Sequence, residues 1–225
     1  MSPILHVTNV TKTFRIGSSS QPVLKGINLA VEAGELVALA GPSGSGKTTL
    51  LNLIGCLDSP DGGSTVIDGV DVSELKPVHL AKVRREKLGF VFQNFNLLPV
   101  LTALENVEYP LTLRKGVGAR QRRERAAKAL EAVGLAEHMH KRPAELSGGQ
   151  QQRVAIARAL VTTPKLILAD EPTAHLDQEA GRSILALMQR LCKEQQVTFL
   201  FTTHDPEMME AASRLVRLRD GAIQE

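Results

Sequence analysis

Residues 36–54 read LVALAGPSGSGKTTLLNLI: an apolar run from Leu36 to Ala40, a glycine-rich turn, and a second apolar stretch from Leu50 to Ile54. In that strand, loop and helix setting, the spacing G-x4-G-K-[ST] at Gly41, Gly46, Lys47 and Thr48 reads as a phosphate-binding loop. Gly41, Gly44 and Gly46, separated by Pro42, Ser43 and Ser45, let the backbone curl so that successive N–H groups point inward. The helix that follows adds the positive end of its dipole. Triphosphate oxygens fill such a nest. Lys47 reaches the β- and γ-phosphates as a compact charge, and the Thr48 hydroxyl is placed to ligate Mg²⁺. Thr49 reads chiefly as helix and closes the nucleotide-binding set.

The chain of 225 residues, 43% hydrophobic and 23% charged, is long enough to bury a large core and ordinary for an α/β domain. No run approaches the ~18 apolar residues that cross a bilayer. The opening MSPILHVTNV lacks the basic and long apolar regions of a signal peptide, so a cytosolic chain is expected. Cys56 and Cys192 stand far apart without metal-ligand spacing and read as reduced core thiols. A net charge of +3, from 27 basic and 24 acidic residues, is too balanced for a nucleic-acid-binding domain. It permits a partner at an anionic membrane surface.

Apolar runs at Ile4–Val10 and Thr13–Ile16 read as strands, with Gly17-Ser18-Ser19-Ser20 as a flexible loop after them. A further strand pair flanks the turn Glu32-Ala33-Gly34-Glu35, and its second member feeds the phosphate loop. Short strands follow at Ser64–Ile67 and Leu88–Phe92, the latter ending at Gln93. Pro99, Pro110 and Gly116-Val117-Gly118 break up the next stretch. From Ala119 to Val133 the apolar positions 126, 130 and 133 recur at helical spacing, with Gly134 as the stop. The basic residues of that helix read as a solvated face. Leu166–Ala169 and Val197–Phe201 read as strands and Ala180–Leu191 as a helix. Such alternation predicts an α/β fold with a mostly parallel sheet covered on both faces.

Asp170 and Glu171 stand at the end of the Leu166–Ala169 strand, where open α/β sheets place their ligands. Asp170 can bind Mg²⁺ opposite Thr48, and Glu171 can orient and deprotonate the water that attacks a γ-phosphate. A strand-ending Asp-Glu is also a common exposed turn, but the phosphate loop upstream favours the functional reading. Ser147-Gly148-Gly149-Gln150 opens a strongly helix-forming segment. Ser147 caps it, and its glycines permit close approach of a phosphate. An ordinary helix cap is the other reading. His204, at a strand end beside Asp205-Pro206, reads either as a surface residue or as a ligand-facing one.

The ordered set GPSGSGKT, Gln93, LSGGQ, LILADE, Asp177 and His204 resembles the nucleotide-binding subunit of an ATP-binding cassette transporter over essentially the whole chain. The resemblance implies a P-loop core at 1–93 and 161–225, an antiparallel β subdomain, and an inserted helical subdomain at 94–160. It implies two copies paired head to tail, with two ATP molecules between them. Lys47, Thr48 and Asp170 of one copy then face ATP while Ser147, Gly148, Gly149 and Gln150 of the other close over it. By the same resemblance Gln93 senses Mg²⁺ and the attacking water, Glu171 is the general base, and His204 holds the γ-phosphate. Phe14 stacks on adenine or is a core aromatic. Asp177 belongs to a loop crossing the dimer interface. That loop reads Ala174-His175 where close relatives more often have Gly-Asn, which bears on fine coupling.

The segment from Phe92 to Val107 most resembles the lipoprotein-releasing and macrolide-exporter ATPase group. Such ATPases pair with a permease of few transmembrane helices and a large extracytoplasmic domain, on the cytoplasmic face of the inner membrane. Phe95, Leu97 and Leu98 are then either partner contacts or core. A soluble cassette ATPase of DNA repair or translation would carry two fused cassettes or a long coiled coil. A small-molecule phosphotransferase would leave LSGGQ without a task.

Overall fold

The computed structural model describes residues 3–17, 19–114 and 116–224. Two long strands open the chain, β1 (Leu5–Ile16) and β2 (Ser19–Val31), and β3 (Leu36–Ala40) then runs through the glycine-rich loop into α1 (Lys47–Ile54). Strands β4 (Gly62–Ile67) and β5 (Val70–Asp71) and helix α2 (Pro77–Lys87) lead to β6 (Leu88–Val91). Next come α3 (Ala103–Thr112), α4 (Ala119–Ala132) and α5 (Gly148–Leu160), and after them β7 (Leu166–Ala169) and α6 (Gln178–Gln195). The chain closes with β8 (Phe199–Thr203), α7 (Pro206–Ala211), β9 (Arg214–Arg219) and β10 (Ala222–Gln224).

Two sheets result. The larger has the order β10-β9-β3-β8-β7-β6, parallel throughout except for the β9–β10 hairpin, and the smaller is antiparallel in the order β2-β1-β4-β5. Side-chain alternation explains why the central strands read as unbroken apolar runs. Leu36, Ala38, Phe199 and Phe201 face a core shared with α3 to α6. Val37, Leu39 and Leu200 face a second core, shared with α1 and the antiparallel sheet. Because both faces are buried, polar residues are absent from β3 and appear in β8 only at its end.

Several boundaries differ from the sequence expectation. β1 is one strand from Leu5 to Ile16 rather than two, because irregularities in its pairing, with Asn9 at a φ of 49°, absorb the break. Ile16 pairs with Ser19, so Ser19 and Ser20 lie in β2, not in a loop, while Ser18 lies outside the described residues. Pro110 does not break the chain but sits inside α3, which begins at a capping box formed by Thr102 and Glu105. β8 starts two residues later than Val197. The Thr198 hydroxyl is occupied by the Gly34 N–H, and its carbonyl accepts from Ile167. Both cysteines are buried and free; burial pushes the Cys56 thiol up to about 11, partly offset by Arg84, and the Cys192 thiol up to about 12. They are inert core groups.

Candidate functional site: a phosphate loop facing two carboxylates

The loop between β3 and α1 takes its shape from two left-handed glycines, Gly44 at a φ of 78° and Gly46 at 104°. Gly41 serves packing instead. A Cβ there would lie 2.0 Å from the Leu218 carbonyl of β9. Gly41→Ala is therefore expected to destabilise the protein by about 1–3 kcal/mol, as overpacking does, lowering the urea midpoint. Lys47 is only 8% exposed. Its Nζ lies within the curl, donating to the carbonyls of Gly41 at 2.8 Å and Pro42 at 3.0 Å. Ser45 Oγ is buried without a hydrogen-bond partner.

Above the loop lies a cavity of about 690 Å³, walled by Ser43, Gly44, Gly46, Lys47, Thr48 and Thr49, by Phe14 and Val23, and by Glu171 and His204. Phe14 is 40% exposed, so the core reading of this aromatic is excluded. Its ring carries the Lys12 ammonium 5.4 Å from its centroid.

The two carboxylates arrive on β7. Thr48 Oγ1 lies 3.3 Å and 3.4 Å from the two oxygens of Asp170. A hydroxyl and a carboxylate converging beside a phosphate nest are hard oxygen donors, the set that fits Mg²⁺ shared with a substrate's phosphates. Glu171 adopts a φ of 44°, a left-handed backbone that non-glycine residues enter at a cost. Its Oε1 lies 3.2 Å from Nδ1 of His204. Gln93 follows β6, whose Val91 carbonyl accepts from the Asp170 N–H, so the main chain brings it beside the carboxylates. The Gln93 carbonyl is 3.1 Å from Nδ1 of His175, which ties the 174–177 loop to the Gln93 segment.

Ser147 to Gln150 stand elsewhere. Ser147 caps α5, accepting from the Gln150 N–H at 3.3 Å while Gln150 Oε1 accepts from the Ser147 N–H. A Cβ on Gly148 would press on Leu176 and one on Gly149 on Ala180, so α5 begins against the 174–180 segment. Ser147, Gly149 and Gln150 line a shallow depression with Arg153 and Asp177, and it shares no residue with the phosphate-loop cavity. Asp177 is also the N-cap of α6, its Oδ1 accepting from Ala180.

Sequence reasoning missed several contributors. Thr202, fully buried on β8, bonds both Asp170 and the Glu171 amide. Arg158 on α5 grips the Phe95 carbonyl at 2.7 Å and also bonds Asn96, both residues left-handed; burial pushes its pKa down. A second groove of about 570 Å³ is lined by Leu57, Arg84, Phe90, Phe92, Leu113 and Arg158, among others. Phe95 and Leu97 pack against the core, whereas Leu98 is 40% exposed. No residue spacing marked this groove, since its walls come from α2, β6, α3 and α5.

The sheet order, the phosphate loop and its facing carboxylates define a nucleotide-hydrolysing P-loop protein. The family model described as ABC transporter matches residues 24–174. The chain is 50% identical to the Bacillus subtilis ABC transporter ATP-binding protein YvrO over 98% of this chain and 95% of that protein. It is also 50% identical to the macrolide export ATP-binding/permease protein MacB of Syntrophobacter fumaroxidans over 98% of this chain, but it spans only 31% of that protein's length. A solved structure of the cassette MJ0796 from Methanocaldococcus jannaschii, dimeric and bound to ADP and Pi after hydrolysis, superposes with a TM-score of 0.88. Identity there is 46%, covering 98% of this chain and 97% of the other. The chain belongs to the ABC transporter family and is an ATP-binding, ATP-hydrolysing cassette.

Proposed function

We propose that this cassette works as a head-to-tail pair that powers a membrane permease, exporting a substrate or extracting it from the membrane at the cytoplasmic face of the inner membrane. The observation that carries this reading is the separation of two anion-binding ends. The phosphate-loop cavity and the Ser147–Gln150 depression share no residue in one copy. A second copy supplies what the first lacks, and the dimeric MJ0796 structures at 46% identity support this.

In this mechanism ATP lies with adenine on Phe14 and its β- and γ-phosphates in the loop's N–H groups. Lys47 exchanges its bonds to the Gly41 and Pro42 carbonyls for phosphate oxygens. Thr48 and Asp170, with Gln93 close by, would hold Mg²⁺, which neutralises charge on the phosphates when bound. Glu171 accepts a proton from water as its oxygen bonds to the γ-phosphorus, the bond to the β-γ bridging oxygen breaks, and ADP and phosphate form. His204 steadies the γ-phosphate while bonded to Glu171. Ser147, Gly148, Gly149 and Gln150 of the partner copy cover that phosphate, so binding closes the pair and hydrolysis opens it. The helical segment 94–160 is read as a subdomain that moves with the partner-facing signature. The second groove, beside the Gln93 segment and rimmed by exposed Leu57 and Leu113, suits a cytoplasmic helix of the permease. The chain's likeness to MacB, a macrolide export ATP-binding/permease protein, supports work with a permease, and a permease of few transmembrane helices is what the resemblance of the Phe92–Val107 segment implies. No helix among the described residues is long and apolar enough to cross a membrane.

Ser147→Arg tests the pairing. Placed beside Glu171→Gln, it is expected to leave ATP affinity of the single copy unchanged while abolishing ATP-driven dimerisation in light scattering. A double variant that still pairs would reduce Ser147 to a helix cap.

A further inference from the structure

Thr202 lies near the end of β8, paired with Leu39 of β3, and is fully buried. Its hydroxyl makes two bonds of defined polarity. The Glu171 amide can only donate, so Thr202 Oγ1 accepts from it at 2.9 Å. The hydroxyl's single proton is then free for Asp170, and Oγ1 lies 2.6 Å from Asp170 Oδ1. Thr48, the other side chain on this carboxylate, is 3.3 Å away from the same oxygen. The tightest tie on Asp170 therefore comes from Thr202. Valine would occupy the same volume, so packing alone does not call for the hydroxyl.

We propose that Thr202 is a positioning residue for ATP hydrolysis, one hydroxyl setting both the rotamer of Asp170 and the left-handed backbone of Glu171. The inference rests on the roles given above to Asp170 and Glu171. It has a particular consequence. Holding Oδ1 from the sheet side fixes how the carboxylate meets Thr48. Holding the Glu171 amide keeps that residue at a φ of 44°, from which its side chain reaches His204. Removing the hydroxyl should thus disturb Mg²⁺ response and turnover together, while the phosphate loop is untouched.

The test compares Thr202→Val and Thr202→Ser with the parent and with Glu171→Gln. Four quantities are read: fluorescent-ATP affinity in EDTA, the Mg²⁺ concentration that half-saturates its enhancement, kcat with KM, and the melting temperature. Thr202→Val is expected to keep parental affinity in EDTA, with the Mg²⁺ midpoint raised and kcat lowered by about tenfold each, as loss of a ligand-orienting partner does. Thr202→Ser should restore most of both. Should Thr202→Val not fold, Thr202→Ala against Thr202→Ser makes the same comparison. Parental kcat and Mg²⁺ response in Thr202→Val beside an inactive Glu171→Gln would overturn the role of Thr202 alone. So would a serine variant as impaired as the valine one. If Glu171→Gln itself turns over at the parental rate, the assignment of Glu171 fails and this inference falls with it.

Discussion

Glu171→Gln is expected to bind ATP like the parent, hydrolyse it at least about a hundredfold more slowly, and accumulate as an ATP-bound dimer. The amide keeps the shape of the side chain and can still bond His204, but it cannot take a proton from the attacking water. General-base assistance contributes roughly a hundredfold to ten-thousandfold in rate. The neighbouring hydrogen bonds make this a clean experiment. The left-handed turn at Glu171 is held by its main-chain amide on Thr202, not by the carboxylate, so the substitution leaves the backbone in place. Since hydrolysis is what opens the proposed pair, blocking it leaves the closed form. Size-exclusion chromatography with ATP·Mg²⁺, together with phosphate release, reads both effects. Turnover at the parental rate would remove Glu171 as the base and the mechanism with it.

Lys47→Ala should weaken ATP binding by about a hundredfold. Each hydrogen bond to a charged group contributes about 1.5–3 kcal/mol, and 1.4 kcal/mol is tenfold in affinity. In the free loop Lys47 donates to the Gly41 and Pro42 carbonyls, bonds it gives up for phosphate oxygens, so the substitution removes the cation that the loop places at the triphosphate. The remaining N–H groups of the nest and the α1 dipole do not offset that loss. A fluorescent-nucleotide titration measures the change. Unaltered affinity would mean that the loop does not hold the triphosphate in the way described.

The α/β class, the phosphate loop and the carboxylate pair were legible because each is local. Glycine spacing, a lysine at a helix start and an Asp-Glu at a strand end carry their chemistry within a few residues of chain. The helix cap at Ser147 was legible for the same reason, and the structure shows its reciprocal bonds with Gln150. Less was readable where polar helices are stabilised by position. α2 was overlooked because its sequence PVHLAKVRREK buries only Val83. α3 was overlooked because Pro110 read as a breaker, although Thr102 and Glu105 spelled out its start.

What the sequence determined by itself is the chemistry at each strand end, since main-chain curl, charge and hydroxyl placement there depend on neighbours in the chain. What only the tertiary structure decided is how those ends meet. Asp170 and Thr48 converge because β7 and β3 both flank β8, 122 residues apart in the chain, and Thr202 joins the carboxylates from the strand between them. Phe14 is turned outward on β1, where a lone aromatic in sequence reads equally well as core. The groove beside Arg158 gathers α2, β6, α3 and α5, and no periodicity records it. A hydrogen bond or a cavity wall forms between residues that packing brings together, and packing of distant segments is set by the whole buried core, not by the spacing of any one motif.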